Sequence, residues 1–250
     1  MRDLLQDKNI TYFPSRLQMQ SKIDRKVLDK FGFQILRDFG TSSEKLKNFI
    51  MGYGYRLFYT ESLNGWLHTF ETQTVATELS EELEPGGFHT DFMFQKEPPR
   101  YIALQCIKPD PKYPLYGRNQ VVKIDNLINA ITKCGVGKDQ LRELQIEYVL
   151  KGKIYKQNLF DDDLKSIKYH QKFASNNIVL NDDLKIVELI NNLSLSICED
   201  IVLNSGDLLL IDNHTTLHRR SECSVRYDFE KRIFEGRKMN SARFNRWKLS

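Results

Sequence analysis

Five histidines occur in the chain, and two of them sit in segments whose neighbours could do metal chemistry. The first is Gly86-Gly87-Phe88-His89-Thr90-Asp91-Phe92-Met93-Phe94. On an extended strand residues two apart point to one side, so His89 and Asp91 can aim an imidazole nitrogen and a carboxylate oxygen at a single point. Such a pair suits a first-row divalent metal. A second histidine would complete a 2-His-1-carboxylate set, which leaves open coordination positions on iron(II). A His-x-Asp pair is common by itself. Here Gly86-Gly87 frees the backbone before it, and Phe88, Phe92 and Phe94 supply an apolar surround.

The second segment is Ser205-Gly206-Asp207 followed by the apolar run Leu208 to Ile211, then Asp212-Asn213-His214-Thr215-Thr216-Leu217-His218-Arg219-Arg220. Read as a helix, the two histidines four apart resemble a zinc pair. The essential glutamate of that motif is replaced by Thr215, however, and two adjacent β-branched threonines disfavour helix. Read as a strand, the two rings stand roughly 13 Å apart at about 3.3 Å per residue. Only one of His214 and His218 can then share an ion with His89 and Asp91.

The elements that must hold these residues follow from periodicity. Helices are expected at Ser21 to Lys30 and Ser42 to Ile50, each opened by a serine suited to N-capping, with a strand at Phe33 to Arg37 between them. Short runs rich in Ile, Val, Leu and Tyr predict strands at Tyr55 to Tyr59, Tyr101 to Ile107, Gln120 to Ile124, Ile146 to Leu150, Ile154 to Leu159, Leu195 to Leu203 and Leu208 to Ile211. Two helices interrupt them: Asn126 to Cys134, with Asp125 as N-cap, and Asp183 to Asn192. Strands that succeed one another without regular intervening helices point to a mainly β fold, an antiparallel sandwich or barrel with flanking helices.

The stretch GGFHTDFMF, the strand YIALQCIKPD and the later GDLLLIDNHTTLHRRSECSVRYDFEKR together resemble the iron(II)/2-oxoglutarate dioxygenases of the taurine dioxygenase and clavaminate synthase group. The resemblance covers roughly residues 86 to 125 and 204 to 235. It implies a double-stranded β-helix (jelly-roll) core, with His89, Asp91 and His218 as metal ligands and His214 on the polar approach to the site. It also implies an arginine 14 residues beyond the distal histidine to grip the far carboxylate of 2-oxoglutarate. That position is Arg232, with Arg226 of Arg226-Tyr227-Asp228 as the next candidate. The family threonine that touches the cosubstrate is replaced by Asn119, and the glycine after the distal histidine by Arg219. Gln73, Thr74 and Asn64 stand before the HTD segment, where relatives often place substrate contacts, and Arg220 is a candidate to meet an acidic group of the substrate.

The cofactors implied are Fe(II), 2-oxoglutarate and O2. The reaction implied is hydroxylation, desaturation or cyclisation of a small polar substrate, a free or carrier-bound amino acid, with release of succinate and CO2. A planar arginine fork suits the far carboxylate better than a lysine point charge. The other assignments open to this residue set are a cupin-type hydrolase or isomerase, which needs no 2-oxoglutarate arginine, and a non-enzymatic basic binding module.

At 250 residues and 40% apolar content the chain can fill one domain, residues 1–250, with a mainly helical part at 1–52 and an insert between core strands at 126–192. The net charge of +4 is uneven, because residues 219 to 250 hold ten Lys/Arg against four Asp/Glu. These cations alternate with aromatic and aliphatic residues, a pattern of strand faces with charged heads in water, so no nucleic-acid partner is expected. The four cysteines form no CxxC pair. The charged start and the lack of a long apolar stretch lead us to expect a cytoplasmic protein with no membrane partner.

Overall fold

Apolar residues at successive positions of the central strands bury both faces of a sheet, since alternate side chains go to opposite sides. The structure, a computed structural model, describes residues 22–59, 65–150, 153–176 and 181–246. The elements begin with α1 (Arg25–Phe31), β1 (Phe33–Leu36), α2 (Ser43–Gly52), β2 (Tyr55–Leu57), β3 (Leu67–Glu71) and β4 (Tyr101–Lys108). Next come β5 (Asn119–Lys123), α3 (Ile124–Lys133), α4 (Lys138–Glu143), β6 (Gln145–Leu150), β7 (Lys153–Asn158), α5 (Gln171–Asn176) and α6 (Asn181–Ile197). The chain closes with β8 (Glu199–Ile201), β9 (Leu208–Asp212), β10 (Thr216–Arg220), β11 (Val225–Asp228), β12 (Ile233–Gly236) and β13 (Lys238–Arg246).

The main sheet runs β1-β9-β4-β13 with every pair antiparallel, and the far edge of β13 pairs with β2 and β3 in turn. A second sheet, β10-β5-β8, is widened by backbone pairing of His89 with His218 and of His170 with His89. One side-chain row of the main sheet, including Tyr101, Ala103, Leu208, Leu210, Ala242 and Phe244, packs on Leu28 of α1 and on Leu46 and Ile50 of α2. The row one residue out of phase, Ile102, Cys106, Leu209, Ile211 and Met239, faces Val121 and Ile201 of the second sheet. On the outer side of that second sheet, Val122 and Leu217 pack against Leu127 and Ile131 of α3 and Val187 and Ile190 of α6. The result is two antiparallel sheets face to face, as the strand pattern predicted, but with helices on both outer sides where the pattern suggested one, because each sheet has an apolar outer row to cover.

Helix α1 starts at Arg25 because the Asp24 carboxylate accepts from the Lys26 and Val27 N–H groups, four residues later than the serine-capped start expected at Ser21, which lies outside the described residues. It ends at Gly32, whose left-handed φ of 80° admits the tight exit into β1. A Cβ at Gly32 would stand 2.2 Å from Thr216 Oγ1, so the turn is pressed against the start of β10, the strand that carries His218. Ser42 caps α2 as expected. Helix α3 begins at Ile124, with Asp125 in its first turn instead of at its cap.

The strand expected at Leu195 to Leu203 is helix over its first three residues. Helix α6 continues to Ile197, because Leu189, Leu193 and Ile197 extend its apolar stripe against the α3 cluster, and only Glu199–Ile201 forms β8.

Candidate metal centre

Because Leu217 goes outward into the helical layer, its neighbour His218 goes inward; Phe88 and His89 repeat the arrangement on the adjoining segment. The two histidines are locked side by side by a reciprocal backbone pair, His89 N–H to His218 O and His218 N–H to His89 O, each 3.0 Å. Their ring centroids are 4.3 Å apart. Asp91 follows in a turn whose backbone is pinned by Asn213: the Asp91 N–H donates to Asn213 Oδ1 at 2.7 Å, and Asn213 Nδ2 donates to Asp91 O at 3.0 Å.

Asp91 Oδ1 then lies 3.4 Å from His89 Nε2 and 3.5 Å from His218 Nε2. The three ligand atoms are within 4.8 Å of one another. Donors that bind a common ion at about 2.0–2.2 Å and at right angles to one another stand about 3 Å apart, so the set fits a first-row divalent cation. His89 Nδ1–H donates to Gly87 O at 2.9 Å, which leaves Nε2 with a lone pair on the metal side.

Burial opposes charge on Asp91, but Arg243 and the hydrogen bonds with His218 and His89 outweigh it and hold the carboxyl well below its ordinary value. Burial also works against a cationic His89, yet Asp91 draws its pKa up overall. His218, equally enclosed and beside His89, is pushed down. The shifts of Asp91 and His218 favour the deprotonated forms that bind a metal, and that of His89 opposes it.

The triad opens into a cavity of about 780 Å³. Its wall includes Asn119, Arg220, Arg237, Ser241 and Arg243, with Phe92, Phe94 and Phe173 on the apolar side. Asn119 lies two residues along β5 from Val121, the partner of His218, so it stands about 7 Å down the sheet from the triad. Its Oδ1 accepts from Arg237 Nη2 at 2.8 Å. Arg237 is 3% exposed and, among the described residues, pairs with no carboxylate. Burial lowers its pKa.

Arg232 does not reach this cavity. It occupies the exposed turn between β11 and β12, at φ 56°, because the chain spends the residues after Asp228 on a hairpin before entering β13. Arg226 is also outside, with 68% of its side chain exposed and Nη2 3.4 Å from Glu235 Oε2. The arginine the fold delivers is Arg237, 19 residues beyond His218.

Gln73 is exposed and bonded to Glu81 Oε1 at 3.0 Å, off the cavity wall. Asn64 lies outside the described residues. Arg220 is on the wall but donates to the Ser221 and Glu84 carbonyls. His214 points elsewhere, with Nε2 3.2 Å from Pro98 O. His68 and His170 both line the cavity; His68 Nε2 is 2.6 Å from Glu78 Oε1, and the His170 ring is 5.6 Å from that of His89. Arg243, Arg237 and these two histidines carry no local motif, and only the strand register brings them in.

The family model described as taurine catabolism dioxygenase TauD, TfdA family matches residues 12–133, just under half of the chain. No curated protein sequence matches. Among solved structures, an asparagine oxygenase in complex with Fe(II), hydroxyasparagine and succinate superposes with a TM-score of 0.70 at 14% identity, over 88% of this chain and 78% of that one. The non-heme iron oxygenase OrfP in complex with Fe and alpha-ketoglutaric acid gives 0.64 at 17%, over 87% and 76%. A taurine dioxygenase from Burkholderia xenovorans gives 0.57 at 12%, over 91% and 83%. The sandwich is thus the jelly-roll core of that group. Family match and fold together bear out the resemblance, noted in the sequence, to the taurine dioxygenase group.

Proposed function

We propose that this protein is an iron(II)- and 2-oxoglutarate-dependent oxygenase that oxidises a small amino-acid-like substrate. The observation that carries this reading is the convergence of His89, Asp91 and His218 on one wall of a cavity whose next feature along the sheet is a buried arginine without a carboxylate partner. A buried guanidinium satisfied only by an amide oxygen calls for an anion. In this reading His89, Asp91 and His218 hold the iron, and Arg237 with Asn119 takes the distal carboxylate of 2-oxoglutarate in place of Arg232. When bound, the iron and its cosubstrate supply the oxidative decarboxylation to succinate and CO2 that powers attack on a C–H bond.

The chain's own contribution is positional. Arg237 provides a planar two-donor fork, and the roughly 7 Å between Asn119 and the triad matches the length of a five-carbon diacid. Phe92, Phe94 and Phe173 give the cavity an apolar side, and Arg220 stands on the wall where a substrate acid group can be met. The amino-acid class is supported by the similar folds, whose names include an asparagine oxygenase and a complex with hydroxyarginine. The role of Glu78, paired with His68 at the cavity edge, is to offer a negative charge to a basic side chain or amino group.

The test is turnover with a panel of free amino acids in the presence of iron(II), 2-oxoglutarate and air. We expect substrate-dependent succinate and a product heavier by one oxygen atom for one chemical class. Succinate formation unaffected by every amino acid, with stimulation by a substrate of another kind, would refute the substrate class.

A further inference from the structure

We infer that Arg243 is the positioning residue that restricts Asp91 to a single metal-facing oxygen; this deepens, and rests on, the iron and 2-oxoglutarate reading above. A carboxylate with both oxygens free can chelate a metal through both. In this protein Asp91 Oδ2 is already taken, because Arg243 Nε–H donates to it at 2.7 Å, while Oδ1 alone faces the two imidazole Nε2 atoms. Monodentate binding leaves three of six positions for a two-point cosubstrate and one further ligand; chelation by Asp91 would remove one of them.

The arginine is itself well held. It is on β13 opposite Ile102, its side chain is 13% exposed, and its guanidinium carbon lies 5.7 Å from the centre of the Phe92 ring. Phe92 has a φ of 57°, a conformation that L residues adopt only under constraint. The turn after Asp91 therefore brings an aromatic face to the same guanidinium that holds the Asp91 side chain. Arg243 Nη1 is buried and has no hydrogen-bond partner among the described residues. A carboxylate bound at the metal supplies the missing acceptor, so one side chain both orients the protein's carboxylate and meets the cosubstrate's.

The experiment loads wild type, Arg243→Met and Arg243→Lys with Co(II), an air-stable probe for iron(II). It measures Co(II) affinity, the visible Co(II) spectrum, and then 2-oxoglutarate affinity on the loaded protein. In Arg243→Met, 2-oxoglutarate affinity is expected to fall about tenfold or more beyond any change in Co(II) affinity, with an altered spectrum before the cosubstrate is added. Lysine, which keeps the charge but offers a single donor nitrogen, should fall between. A residue that only stabilised the fold would reduce the fraction able to load without changing the spectrum or the 2-oxoglutarate affinity of what loads. The wild-type spectrum and affinity in both variants would overturn the inference. Should the methionine variant not fold, the lysine variant decides by the same two readouts. Failure of the wild type to bind Co(II) would overturn the metal reading itself, and this inference with it.

Discussion

Replacing Arg237 by lysine keeps the charge and loses the fork. A hydrogen bond to a charged group contributes about 1.5–3 kcal/mol, and every 1.4 kcal/mol is tenfold in affinity. Loss of one of two such bonds to 2-oxoglutarate therefore predicts a rise of about 10- to 100-fold in its dissociation constant. The free protein should respond in the opposite sense to Arg237→Met. The guanidinium is 3% exposed and answered by Asn119 alone among the described side chains, so removing it relieves an unpaired buried charge; the melting temperature without ligand should hold or rise. Isothermal titration of the metal-loaded protein gives the first quantity and differential scanning calorimetry the second. Wild-type cosubstrate affinity in Arg237→Lys, or a comparable loss in Arg232→Lys, whose side chain sits in an exposed turn, would show that the wrong arginine has been chosen.

His218→Ala should abolish metal binding while His214→Ala retains it, as read by Co(II) titration, because only His218 faces Asp91. Leu217→Ala empties a fully buried position between β10 and α3/α6 and should cost about 2–5 kcal/mol in urea unfolding. Glu235 bonds Lys108 at 2.6 Å and Lys231 at 2.7 Å, and these hydrogen bonds pull its pKa down to about 2. A depressed carboxyl contributes stability that is complete above the ordinary glutamate range and lost as pH falls from there toward about 2; Glu235→Gln should flatten that part of the melting-temperature profile. Exposed Cys134 should react first with a thiol reagent in the native state. Cys106, buried and pushed up by that burial to about 11, should react only on unfolding.

His89 and Asp91 were legible as a His-x-Asp pair, but not through a strand's period of two: His89 makes only isolated bridges, and Asp91 is brought beside it by a turn that Asn213 pins. Assigning His218 over His214 came from the resemblance, and the register of β10 with β5 now places it. Arg237 was not legible by counting. A fixed spacing assumes a fixed hairpin, and β11–β12 adds residues between the distal histidine and Arg237, which directly precedes β13. Strand β13 was also hidden. Its inward row, Met239, Ser241 and Arg243, is largely polar because it faces a cavity instead of a core, so the apolar alternation that marked β4 and β9 is missing. The long apolar stripe of α6 concealed its boundary with β8 for the opposite reason, since a continuous Leu/Ile run satisfies a helix and a buried strand alike.

The most direct test is anaerobic addition of 2-oxoglutarate to the iron(II)-loaded wild-type protein, followed by visible absorption. Two-point chelation of iron(II) by a 2-oxo acid gives a charge-transfer band that needs the metal, an open pair of positions and the cosubstrate together. A saturable band in the wild type, missing from Asp91→Gly and from His218→Ala, is expected. Full metal loading with no band at saturating 2-oxoglutarate would contradict the oxygenase function and leave a metal site of another kind.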